Sequence, residues 1–301
     1  MVINKSRIYT FTVVAVLAYI FLEFMVNDNP FTGQLFGDNF WKTLDGSWIH
    51  WLCLILIPVL GVWQASHLGD REIDITPSRA EHTPGQVNDP TFWQALTGNV
   101  WLSVLWLPLR FVLGINWLVA GYHKIFDAGW GRSGTVQRMV NGEMVEVELA
   151  RGASMKGFLA GAAGLDPATG EKLVDEDGVE VAGRTVFGWY ENFLTWIVQN
   201  DHTSWFGPLV AWGETLVGLG ILFGALLGIA AFFGTMMNMS FMLAGTVSSN
   251  PWMFGLTIFI ILAWKTAGYL GLDRWLLPML GTPWTSDEDK APPAVTPPTR
   301  A

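Results

Sequence analysis

Six side chains capable of chemistry fall in stretches otherwise too apolar to hold them: Glu23, Arg110, Asn116, Glu214, Asn238 and Lys265. His50, His123 and Lys124 stand at the ends of such stretches. An ionisable group in hydrocarbon costs at least ~2.5–3.5 kcal/mol, so each is a functional candidate by default. Carboxylates can hold and pass protons, while guanidinium, ammonium and amide groups can bind an oxygen or an anion. Arg110, Glu214, Asn238 and Glu23 are the candidate catalytic set. Asn116, His123 and Lys124 are the candidate substrate-binding set. Metal chemistry finds no pattern: Cys53 is the sole cysteine, and no CxxCH, P-loop or dinucleotide fingerprint occurs. No metal or haem is expected.

Helical phase and a rise of ~1.5 Å per residue order these groups. Arg110, Gly114, Trp117, Gly121 and Lys124 share one face of their helix, and Asn116 and His123 share another. Glu23, Asn116 and Glu214 are expected in one layer, with Arg110 and Asn238 in a second near the midplane. Arg110 is long enough to reach Glu214 or Glu23. Two readings stay open: an ion pair that only fixes helix packing, or a protonatable pocket open to the outer leaflet. Lys265 is expected to snorkel to the interface.

The elements that position these residues are membrane helices. Of 301 residues, 51% are hydrophobic and 14% charged, against about 25% charged in soluble domains. Six apolar stretches approach the ~20 residues needed to span hydrocarbon: residues 8–26, 48–65, 102–120, 208–227, 229–247 and 252–272. Lys5, Arg7, Arg71, Arg79, Arg274 and Lys290 lie on one side, which places both termini in the cytoplasm. A net charge of −9 excludes nucleic acid as a partner.

The organisation is an N-terminal transmembrane pair (1–65), a cytoplasmic linker (66–100), a helix (101–125), an extracytoplasmic insert (126–207), three more helices (208–281) and a disordered Pro-rich tail (282–301). The insert holds twelve acidic and six basic residues. Asn141–Gly142 predicts a hairpin over 139–149, and Asp177–Gly178 a second over 172–181. Residues 154–163 and 189–198 predict short helices, the latter lying in the interface or capping the bundle. Gly220, Gly224 and Gly228 form a small-xxx-small ladder for close helix packing.

Several motifs in fixed order carry a family resemblance: Arg110 with GINWLVAGYHK (114–124), Trp189–Tyr190 and Phe193, Gly213–Glu214 with LVGLGILFG (216–224), GTMMNMSFMLAG (234–245), Ser249–Pro251, AWKTAGYLGLDR (263–274) and Leu277–Pro278. Over residues 102–284 the chain resembles the DoxX/DoxD family of membrane proteins, which includes the membrane subunit of thiosulfate:quinone oxidoreductase. The resemblance implies an all-α integral membrane protein with a four-helix transmembrane bundle in the cell membrane. The first two helices and the hairpin-bearing insert are additions to that core. It also implies a redox role, with a quinone as electron acceptor and thiosulfate or a related sulfur compound as donor. A second oxidoreductase subunit at the outer face and a homo-oligomer are the partners it suggests, besides the bilayer. Two other readings remain: a non-catalytic scaffold recruiting a redox or stress-response partner through the acidic insert, and a small-molecule transporter. The absence of an inverted repeat counts against the transporter.

Overall fold

A computed structural model describes residues 1–28, 30–36, 44–75, 85, 87, 89–140 and 142–284. Strand β1 (Val2–Ile3) leads into helix α1 (Lys5–Asn27), whose first turn is capped by Asn4 accepting from the Arg7 N–H at 3.1 Å. Helix α2 (Trp48–Leu68) returns, and strand β2 (Ile73–Asp74) pairs antiparallel with β1. Helix α3 (Thr91–Gly98) and a 3₁₀ segment, Val100–Trp106, precede α4 (Leu107–Phe126). Pro108 sits in the first turn of α4, where its missing N–H costs nothing.

Strands β3 (Gly134–Val140) and β4 (Glu143–Leu149) then form an antiparallel hairpin, closed where Val140 pairs with Glu143. Helices α5 (Ala153–Ala163) and α6 (Gly188–Gln199) follow, then α7 (Thr203–Phe223), α8 (Leu227–Leu243), α9 (Asn250–Leu262), α10 (Trp264–Gly268) and α11 (Asp273–Met279). The second hairpin is reduced to a single bridge, Val174 with Glu180, with Gly178 at φ +77° in its turn.

The segment ending in α4 is the most enclosed of the four long apolar ones. One side packs on α1 and α2 through Tyr19, Ile57 and Phe111. The other side meets α7, α8 and α9, which close a four-helix ring with it through Trp117, Ile221, Ala231 and Ile260. Helices α5 and α6 cover the end of this ring nearest the hairpin, burying Leu159, Leu194 and Ala244. The exposed Trp189 and Trp196 of α6 point away from that core.

Four segments are long and apolar enough to cross a membrane: α1, α2, Val100–Phe126 and α7. The expected fifth and sixth spans are shorter, as α8 has 17 residues and α9 has 13. The sixth breaks at Ala263 (φ −113°), which leaves the helical region before α10 resumes. The turn expected at Gly228 lies instead at Gly224–Leu226, because Gly224 takes φ +61° and ends α7. The three ladder glycines therefore do not share a helix. Residues 282–284, expected to belong to a loose tail, include one that is packed: the Trp284 indole donates to the Arg274 carbonyl at 2.9 Å and stands edge-on against Tyr269. Residues 285–301 lie outside the described residues.

A seam of glycines brings α4 and α7 together. A Cβ on Gly114 would sit 2.7 Å from the Leu222 nitrogen, on Gly121 2.4 Å from the Thr215 nitrogen, and on Gly218 2.3 Å from the Leu118 nitrogen. All three contacts are with backbone, which cannot swing away. Gly218→Ala should therefore destabilise the protein by about 1–3 kcal/mol. Gly157→Ala, on α5 in open space, should be neutral or stabilising by about 0.4–1 kcal/mol. Thermal unfolding in detergent compares the two, and equal effects would refute the seam.

Candidate functional site

The glycine seam sets the first polar site. With no side chain at Gly121, α7 approaches so closely that Lys124, one turn further on, reaches Glu214. The Lys124 Nζ lies 2.6 Å from the Glu214 Oε2, and Glu214 is 1% exposed. The ammonium also lies 5.3 Å from the Trp130 ring centroid and 5.8 Å from that of Phe241, positions favourable for cation–π attraction.

Asn238, on α8, faces the same space and is fully buried. Neither its Nδ2 nor its Oδ1 has a hydrogen-bond partner. A buried amide left unpaired costs roughly 1–3 kcal/mol per group, so nearly all are paired. The cavity that Asn238 lines measures about 280 Å³ and is also walled by Asn116, Lys124, Glu214, Thr246 and Trp117. The Thr246 hydroxyl and the Trp117 indole N–H are likewise unpartnered. Four of the eight unpartnered buried side-chain atoms among the described residues thus belong to residues that line one cavity.

Asn116 spends its Nδ2 on the Val112 carbonyl, at 2.8 Å, and also borders a second cavity of about 480 Å³. Asn27, Asp45, Ser47 and His50 line that one. Behind it lies Glu23, fully buried. Its Oε2 accepts from the Asn27 Nδ2 at 2.6 Å, and its Oε1 lies 3.0 Å from the His50 Nδ1. The imidazole is not aligned for a hydrogen bond there, so this contact is an ion pair only when His50 is protonated.

Arg110 occupies neither cavity. It is 1% exposed, and its guanidinium donates to four backbone carbonyls: Ile221 at 3.1 Å, Leu222 at 3.0 Å, Ala267 at 2.9 Å and Leu270 at 3.1 Å. Ile221 and Leu222 lie in the last turn of α7, and Ala267 and Leu270 at and just past the end of α10, regions where helical carbonyls run short of partners. The expected reach of Arg110 to Glu214 or Glu23 is not made. The reason is helix register: α4 begins at Leu107, so Arg110 lies in its first turn, level with the end of α7. Asn238 correspondingly shares a level with Glu214, not with Arg110.

His123 also stands apart from the Lys124 cavity. Its Nε2 contacts Asp45, and its Nδ1 lies 3.6 Å from Asp127. Lys265 is exposed, with its ammonium 5.3 Å from the ring of Trp264. Among the described residues no group of three His, Cys, Asp or Glu side chains is placed to hold a metal.

Two participants escape sequence reasoning. Asp45 and Thr246 lie in loops, where periodicity says nothing. The Lys124–Glu214 pair carried a signal, since Lys124 continues the Gly114–Gly121 column that turns out to face α7. Compared with protein-family models, curated proteins and solved structures, the chain finds no match.

Proposed function

We propose that the chain is a multi-pass membrane protein of the DoxX/DoxD type and the quinone-binding subunit of an oxidoreductase, with the quinone head in the cavity of Lys124, Glu214 and Asn238. The observation that carries this reading is Asn238, which offers an unspent donor and an unspent acceptor side by side. A quinone oxygen accepts from the amide Nδ2; the hydroxyl of the reduced quinol donates to Oδ1. One side chain thus fits both redox states without rearranging.

Reduction adds two electrons and two protons to the quinone. Oxidative coupling of two thiosulfates, or of a related sulfur compound, releases two electrons, directly or through a partner subunit. Protons reach the quinone oxygens through Glu214, held ready beside Lys124. His50, in the cavity across Asn116, and Glu23 behind it replenish them. Arg110 has no part in this chemistry, and His123 lies outside it. The cavity sits toward the hairpin end of the helices, which the charge distribution puts in the outer leaflet of the cell membrane, with both termini cytoplasmic.

Purified protein in nanodiscs, given thiosulfate and a quinone, tests the reading. Wild type should reduce quinone, and Glu214→Gln, which keeps shape but cannot carry the proton, should slow reduction about a hundredfold. A well-folded wild type that neither binds nor reduces quinone would exclude it.

A further inference from the structure

Beside the polar cavity lies a larger groove of about 630 Å³ between α7 and α8. Gly213, Leu216 and Gly220 form one wall and Ile229, Phe233 and Met237 the other, under a roof from α5 and α6. Along α7 it runs from Phe206 to Gly220, roughly 21 Å at helical rise. Its few polar groups are spent inward: the Tyr190 hydroxyl donates to the Ser240 carbonyl, and the Ser240 hydroxyl to Met236. The groove has nothing to offer a polar ligand.

Phe158 and Phe241 border both the groove and the polar cavity, their ring centroids 6.3 Å apart. A compact polar chamber and a long hydrocarbon slot therefore adjoin, parted by two phenyl rings. Leu216 and Ile229 are 63% and 57% exposed, so the slot opens sideways on the lipid-facing surface.

We infer that this groove seats the polyprenyl tail of the quinone whose head occupies the polar cavity, which makes long-tailed, membrane-resident quinones the substrate class. The inference rests on the proposed head site. The chamber's chemistry selects a quinone over a phospholipid. Lys124 is the one cation among the chamber's lining residues, and Glu214 already holds it. A phosphate would meet no free positive charge and would face the Glu214 carboxylate. A neutral ring meets unpaired donors and acceptors. The tail gains no hydrophobic energy over bulk lipid; its preference comes from van der Waals packing in a preformed slot.

The test compares a polyprenyl quinone with its one-isoprene analogue, both measured per quinone in the nanodisc bilayer. Wild type should bind the long-tailed form about tenfold more tightly. The double variant Leu216→Trp/Ile229→Trp enlarges two exposed walls, which the fold can accommodate. It should bind both at the short-tail level, with short-tail binding unchanged. Equal binding of the two quinones by wild type, or an intact preference in the double variant, overturns the groove and leaves the head site standing. If wild type binds neither, the head site has failed. The groove then depends on native mass spectrometry of co-purified lipid. A stoichiometric prenyl-chain molecule lost in the double variant supports it; phospholipid or nothing in its place overturns it.

Discussion

Replacing Arg110 with alanine should leave little folded protein, and lysine should not rescue it. Four carbonyls from two helix ends converge on this one side chain, and the site is shut from water. Each hydrogen bond to a charged group contributes about 1.5–3 kcal/mol, and each carbonyl left buried and unpaired costs a similar amount. A lysine has three donors on a flexible stem where arginine has five in a fixed fork. The surroundings are built for the fork: a Cβ on Gly224 would sit 2.6 Å from the guanidinium, and one on Gly271 2.9 Å. Size-exclusion profiles and thermal unfolding in detergent provide the check. An Arg110→Lys protein that is monodisperse and unfolds within about 2 °C of wild type, about 1 kcal/mol on the usual scale, would show that the fork is dispensable.

Asn238→Leu should do the reverse, raising stability while abolishing turnover. Leucine has nearly the same shape and no polar atoms to leave unpaired. Removing both orphaned amide groups should gain about 2–6 kcal/mol. If the proposed head site holds the quinone, loss of the Asn238 amide should take reduction below detection, with more than tenfold weaker quinone binding. Function and stability then pull apart at one residue, as expected of a site kept imperfect for a ligand. Should Asn238→Leu unfold more easily and still turn over, the amide serves packing and the head site is misplaced.

Glu214 and Asn238 stood out in the sequence because charge and amide are rare in apolar runs, and the structure brings both to one cavity. What the sequence lacks is register between helices. Depths estimated from each span's own ends put Arg110 near the midplane, because nothing in the sequence shows that Val100–Trp106 is a 3₁₀ lead-in and that α4 starts only at Leu107. The same gap hid Lys124 as the partner of Glu214, although the glycine column pointing to it was visible. Helices α1, α2, α4 and α7 follow directly from apolar length. The break at Ala263 does not, since no proline or glycine marks it; it arises where the chain turns to bring the Ala267 and Leu270 carbonyls onto Arg110.

The turn between α7 and α8 depends on a residue far along the chain. Leu226, at φ +48°, is held by its N–H donating to the Asp273 carboxylate at 2.6 Å, 47 positions along the chain, with the Leu227 N–H at 2.9 Å beside it. A left-handed leucine is unfavourable by itself, so this turn draws its support from a residue in α11. The hairpin of α7 and α8 is therefore latched only when α11 has docked against it. A chain that stopped short of Asp273 would leave this hairpin unlatched, so the α7–α8 turn is a clasp closed from a distant point in the sequence.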